Sequence, residues 1–162
     1  MKTLYLMRHA KSSWNHPEMT DMERPLLQDG IDSIQKVVDY FRQNHVNIKH
    51  IASSPAVRAM ETAKLVAHGF KLPEESIDVF DDLYRADISA FENCIFSLPD
   101  DWDHVLMIGH NPGISNFAQG FMVEQEEIPT AGVLSVSFNI EKWIHLYTAP
   151  PIFNFFIHPK KL

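Results

Sequence analysis

The chain has 162 residues, 45% apolar and 22% charged, a balance that suits one folded domain with a single buried core. A net charge of −7 argues against a nucleic-acid backbone or an anionic membrane as the main partner, since both reward a basic face. The single cysteine, Cys94, excludes an intramolecular disulfide and a Cys-rich metal site, and its neighbours Phe91, Ile95 and Phe96 mark it as a packed, inert thiol.

No repeat, low-complexity tract or Gly/Ser linker divides the chain, so residues 1–162 are expected to form one domain. Met1 to Met7 is too short for a signal-peptide core and no later run reaches bilayer length, which makes the cytoplasm the default compartment. The first predicted strand, Thr3–Met7, runs into Arg8-His9. Ile34, Val37, Val38 and Phe41 then recur at i, i+3, i+4, i+7, the stripe of an amphipathic helix. A second strand, His50–Ser53, leads into a helix with Ser54 as N-cap and Pro55 in its first turn, ending near Gly69. Ile77–Phe80 reads as a third strand and Ser89–Leu98 as a weaker helix. His104–Ile108 is the fourth strand, and its unbroken run Val105–Ile108 belongs at the centre of a sheet, buried on both faces. Asn111-Pro112 should open a further helix to about Phe121, followed by strands Val133–Phe138 and Trp143–Tyr147. The tail from Pro150 to Leu162, rich in Pro and Phe, is expected to pack across the body as an extended segment. Strands alternating with helices in this way indicate an α/β sheet with helices packed on it.

In an open α/β sheet, ligands bind beyond the carboxyl ends of the strands. Three such ends carry related chemistry. The first strand gives Arg8 and His9, the second leads to Arg58 one turn into its helix, and the central strand ends in Gly109-His110-Asn111-Pro112-Gly113. Guanidinium forks bind phosphate oxygens bidentately, and helix N-termini favour anions. A neutral imidazole is a competent nucleophile toward phosphorus, and surrounding cations should hold the His9 pKa down. His110 is placed to donate a hydrogen bond to a phosphoryl oxygen as charge shifts.

At these residues the chain resembles the histidine phosphatase superfamily, the group that includes phosphoglycerate mutases and acid phosphatases. The resemblance rests on Leu6-Met7-Arg8-His9-Ala10, on Arg24-Pro25-Leu26 with Gly30, on Ser53-Ser54-Pro55 with Arg58 and Glu61-Thr62-Ala63, and on Gly109 to Gly113. Ala10 where the superfamily usually has Gly, followed by Lys11-Ser12-Ser13-Trp14, looks more like the SixA-type phosphohistidine phosphatases, as does the ending Pro159-Lys160-Lys161-Leu162. The resemblance implies a single-domain three-layer sandwich, a mostly parallel mixed sheet with helices on both faces. It also implies that His9 is the phosphorylated nucleophile, that Arg8, Arg58 and His110 complete the phosphate pocket, and that Ser12 and Asn15 add polar contacts. No metal or organic cofactor is expected.

Many relatives take a proton donor from the region after the second helix, here Phe80 to Asp87, where no single carboxylate among Asp81, Asp82 and Asp87 stands out. These acids read equally as solvated loop charges or a partner for Arg85. A missing acid is informative, because imidazole, with a reference pKa of ~6.5, leaves as a neutral group where an alkoxide cannot. The other histidines, among them His16, His45, His50 and His68, lack metal-ligand spacing. Trp14 suits either the pocket rim or a surface loop, Lys11 either the pocket or solvent, and Thr130 either the pocket wall or a turn. The expected substrate is protein phosphohistidine, with a phosphatase or mutase acting on a small phosphate-bearing molecule, a phosphoester, as the alternative and a non-catalytic phosphoprotein-binding module as the reading from another class. The sequence assigns no oligomeric state.

Overall fold

Side-chain alternation along the strands decides which helices cover which face. In the computed structural model, which describes residues 1–162, six strands form one sheet: β1 (Lys2–Arg8), β2 (His50–Ser53), β3 (Asp78–Val79), β4 (His104–Gly109), β5 (Val133–Phe138) and β6 (Ile152–Ile157), in the order β3-β2-β4-β1-β5-β6. β1, β2, β3 and β4 pair in parallel, whereas β5 runs antiparallel to both β1 and β6. Leu4, Leu6, Val105 and Met107 point to one face, where α3 (Ile88–Phe96) and α4 (Gly113–Ala118) cover them with Phe91, Ile95, Ile114 and Phe117. Tyr5, Met7, Leu106 and Ile108 point to the other, under α1 (Gln28–Gln43) and α2 (Val57–Gly69). The α1 stripe read from the sequence, Ile34, Val37, Val38 and Phe41, is wholly buried there. The three-layer, mostly parallel sandwich is the architecture the resemblance implied, and Val105–Ile108 sits at its centre without solvent contact.

The sixth strand lies elsewhere than expected. Trp143–His145 is a 3-10 turn in which Trp143 and Leu146 are buried and the residues between them exposed, so spacing by three wins over strand alternation. The Trp143 indole then donates to the Trp102 carbonyl at 2.9 Å. The edge strand is instead supplied by the Phe-rich tail, as β6, with a register shift opposite Ser135/Val136. Two helices also begin later than read. α2 starts at Val57 with Ala56 at the N-cap position, and α4 spans only Gly113–Ala118 before a 3-10 turn, Gln119–Phe121. Cys94 is buried as anticipated, and burial pushes its thiol up to about 11. No helix is long and apolar enough to cross a membrane.

Candidate active site

Strand register alone aligns the three chain segments. Arg8 pairs with Gly109 across β1 and β4, and Ser53 with Ile108 across β2 and β4. His9, Ser54 and His110 therefore leave the sheet side by side, and the His9 N–H donates to the Gly109 carbonyl at 3.1 Å. β5 runs the other way, so the segment preceding it reaches the same edge: the Ala131 N–H donates to the Arg8 carbonyl at 3.0 Å. The loop after β1 is fixed from two sides. The Thr62 hydroxyl of α2 accepts from the Ala10 N–H, and the Lys11 carbonyl accepts from the Leu27 N–H. Gly30 is required here, since any Cβ would collide with the Lys11 carbonyl.

The result is a cavity of about 870 Å³ whose walls include Arg8, His9, Arg24, Arg58 and His110, all but Arg8 less than a tenth exposed. One carboxylate, Asp21, lines it. Asp21 accepts from Arg58 through its backbone carbonyl (2.7 Å) and Oδ2 (3.0 Å), from Arg24 Nε through Oδ1 (3.1 Å), and from the Tyr84 hydroxyl at Oδ2 (2.6 Å). The Tyr84 hydrogen bond above all, with Arg58 and Arg24 adding to it, holds this carboxyl well below the usual carboxylate range. Asp21 is thus a fixed anion that orients two guanidinium groups and has no proton to donate. Arg24 is further held by Ser12 Oγ (2.9 Å) and by the Trp14 ring, 3.5 Å away.

The imidazoles are both neutral at ordinary pH. Burial lowers the His9 pKa to about 4, with the charges of Arg58, Arg8 and Arg24 pushing the same way and the hydrogen bond to Ala10 opposing them. That bond, 2.7 Å from Nδ1 to the Ala10 carbonyl, requires the ring proton on Nδ1, so the lone pair lies on Nε2. His110 is lowered to about 3, again chiefly by burial and then by its neighbours His9 and Arg58, with an offset from Asp21. Its ring lies 5.0 Å from that of His9. The Ser54 hydroxyl accepts from the Ala56 N–H and is hydrogen-bonded to the His110 ring, at 2.7 Å from Nε2. The other ring nitrogen, Nδ1, is a buried atom without a protein partner. Arg8 Nε and Arg58 Nε are likewise buried and unpaired. Leaving a buried polar atom unpaired costs about 1–3 kcal/mol, and all three of these residues line the one cavity.

The structure brings together Arg8, His9, Arg58 and His110 as the sequence suggested. Ser12 is buried and acts on Arg24, while Asn15 is exposed at the cavity mouth. Trp14, Lys11 and Thr130 all line the cavity. Of the two helix starts expected to face an anion, the Asn111–Gly113 start of α4 lines it, whereas α2 contributes only Arg58. The Phe80–Asp87 region supplies Tyr84, Arg85 and Ala86 and none of its acids; Asp87 accepts from the Ala90 N–H as cap of α3. Sequence reasoning did not place Arg24, Asp21 or Tyr84 in the site. Arg24 belongs to the Arg24-Pro25-Leu26 motif, but nothing in the spacing of Asp21 and Tyr84, 63 residues apart, announces their contact.

A histidine pair among guanidinium groups at the carboxyl edge of a mostly parallel sheet defines an enzyme class that handles phosphoryl groups through histidine. The chain belongs to the histidine phosphatase superfamily (branch 1), whose family model matches residues 4–104, and it is a phosphatase of that class. The fold is similar over 98% of both chains to the protein histidine phosphatase SixA solved with tungstate, at 22% identity and a TM-score of 0.80. A protein assigned as the phosphohistidine phosphatase SixA of Agrobacterium tumefaciens is also 22% identical, with a TM-score of 0.81 over 98% of this chain and 99% of that one. The phosphoserine phosphatase of Entamoeba histolytica, solved with 3-phosphoglyceric acid, is 14% identical over 98% of each chain, with a TM-score of 0.66. No curated protein sequence matches the chain significantly.

Proposed function

We propose that this phosphatase hydrolyses phosphohistidine on a protein through a phospho-His9 intermediate. His9 Nε2 attacks phosphorus while Arg8, Arg58 and His110 bind the phosphoryl oxygens, and the substrate imidazole leaves on the opposite side. The Ala10 carbonyl holds the His9 Nδ1 proton throughout. The phosphorylated ring is therefore cationic, and when water attacks phosphorus in the second step the ring departs as neutral imidazole with no proton transfer to it. Orthophosphate takes up the oxygen and both protons of that water, and releases one of them to solvent near neutral pH.

The observation that carries the substrate reading is the state of Asp21, the cavity's carboxylate, which is held as an anion by Tyr84, Arg58 and Arg24. A phosphoester would demand a protonated acid for its alkoxide, whereas a phosphohistidine with its other ring nitrogen protonated needs none. The likeness of fold to the SixA proteins supports the same choice. The test is kcat/KM on a histidine-phosphorylated protein against phosphoserine peptides and sugar phosphates. The phosphohistidine substrate should lead by at least about a hundredfold, roughly the worth of one general acid; sugar phosphates in the lead would overturn the assignment.

A further inference from the structure

The inner charges of the cavity nearly match one phosphoryl group. Arg8, Arg24 and Arg58 against Asp21 leave two positive charges, close to the roughly −1.5 to −2 carried by a phosphoryl near neutrality. Three more cations line the same cavity farther out: Lys11 from the loop after β1, Arg85 from the segment before α3, and Lys160 from the C-terminal 3-10 turn. All three are exposed, and none has a carboxylate within ion-pair distance. Arg85 keeps its backbone at φ 55°, a left-handed conformation that costs a non-glycine residue on the order of 1 kcal/mol, with its guanidinium 5.1 Å from the Tyr84 ring. In a chain of net charge −7, such a gathering of unpaired positive charge at one mouth is a local inversion of sign.

Resting on the phosphohistidine reading, we propose that Lys11, Arg85 and Lys160 form a specificity rim that recognises acidic side chains flanking the phosphorylated histidine of a protein substrate. The phosphoryl group already satisfies the inner guanidiniums, so the rim needs further negative charge from the same substrate. The three cations come from separate segments around the mouth, which suits the spread charge of a polypeptide surface. Trp14, 77% exposed beside them and backed by Arg24, offers a flat aromatic for the same surface.

The test compares two histidine-phosphorylated peptides of equal length, one flanked by Asp and Glu and one by Asn and Gln, with a small bisphosphate as a third arm. KM is measured on the wild type and on the triple variant Lys11→Gln/Arg85→Gln/Lys160→Gln, and Kd on the same proteins carrying His9→Asn. In low salt the acidic peptide should have a KM and Kd lower by about tenfold, an advantage that shrinks on raising salt and disappears in the triple variant. kcat should stay within about twofold, because rim charges act on encounter and binding. Equal constants for the two peptides, or an advantage that survives the triple substitution, would overturn the proposal. So would a triple variant that weakens only the bisphosphate, which would assign the rim to a small molecule. Should neither peptide be turned over, the phosphohistidine reading falls, and the Kd comparison still decides the rim.

Discussion

The two ends of the same sheet bury positive charge in opposite ways. At the amino end Lys2, 2% exposed, donates to the Asp103 carboxylate at 3.0 Å and to the Asp100 carbonyl, with the Trp143 ring 5.6 Å away. That cation has a carboxylate, a carbonyl and an aromatic ring as partners within the protein and serves the fold. At the carboxyl end Arg8 and Arg58 each leave Nε unpaired, and His110 leaves Nδ1. Burying a charge is costly unless it is paired and hydrogen-bonded, so the second arrangement is a standing cost borne by residues that line a cavity. The contrast separates a buried cation that closes a structure from one kept ready for a ligand.

Substitutions should divide along that line. The largest effect is expected from His9→Asn, which removes the proposed nucleophile and should lower kcat/KM by at least about 10⁴-fold, with little change in the denaturation midpoint. Arg58→Ala should cost about 10²–10³-fold in kcat/KM, the range for losing a charged group aimed at the transition state. Asp21→Asn leaves both guanidiniums in place but loosens their anchor, and about a tenfold loss is expected in steady-state kinetics. Lys2→Met should reverse the pattern. Its kcat/KM should stay within about twofold of wild type while urea denaturation shows a loss of about 2–3 kcal/mol, part of it from the unpaired Asp100 carbonyl. Were Lys2→Met to impair catalysis, or Arg58→Ala to unfold the protein, the distinction between the two ends would fail.

Much of this division was legible in the amino-acid sequence. Arg8-His9, Arg58 and Gly109-His110 each follow a strand whose own pattern is strong, and parallel register then brings them together without further information. What was not legible depended on loops and on competition between local patterns. Trp143–Tyr147 has the composition of a strand, yet burying Trp143 and Leu146 on one side of a tight turn wins, and β6 forms from the Phe-rich tail instead. The Asp21–Tyr84 contact joins two irregular segments, for which no periodicity exists to be read.

A further expected effect is on stability in acid. His9 and His110 protonate near 6.5 in the unfolded chain but only at about 4 and about 3 when folded. Between these limits the unfolded state binds more protons. The folded protein is therefore most favoured above pH 6.5 and loses stability as pH falls toward 4, by on the order of a few kcal/mol for the pair. Asp21, depressed instead, contributes stability that is lost only at more acidic pH. His50 and His104 are lowered as well, so the share of the site is read as a difference. Urea denaturation at pH 7 and pH 4.5 should show a smaller acid loss in His110→Asn than in wild type; an equal loss would mean that the ring titrates normally.

The central claim is that His9 Nε2, with its opposite nitrogen held by Ala10, takes the phosphoryl group itself. Rapid-quench labelling with a radioactive phosphohistidine substrate tests this most directly. The account predicts acid-labile, base-stable phosphate on the peptide containing His9 within a single turnover, and none in His9→Asn. Burst-phase product release with no labelled protein, or label on another residue, would contradict it.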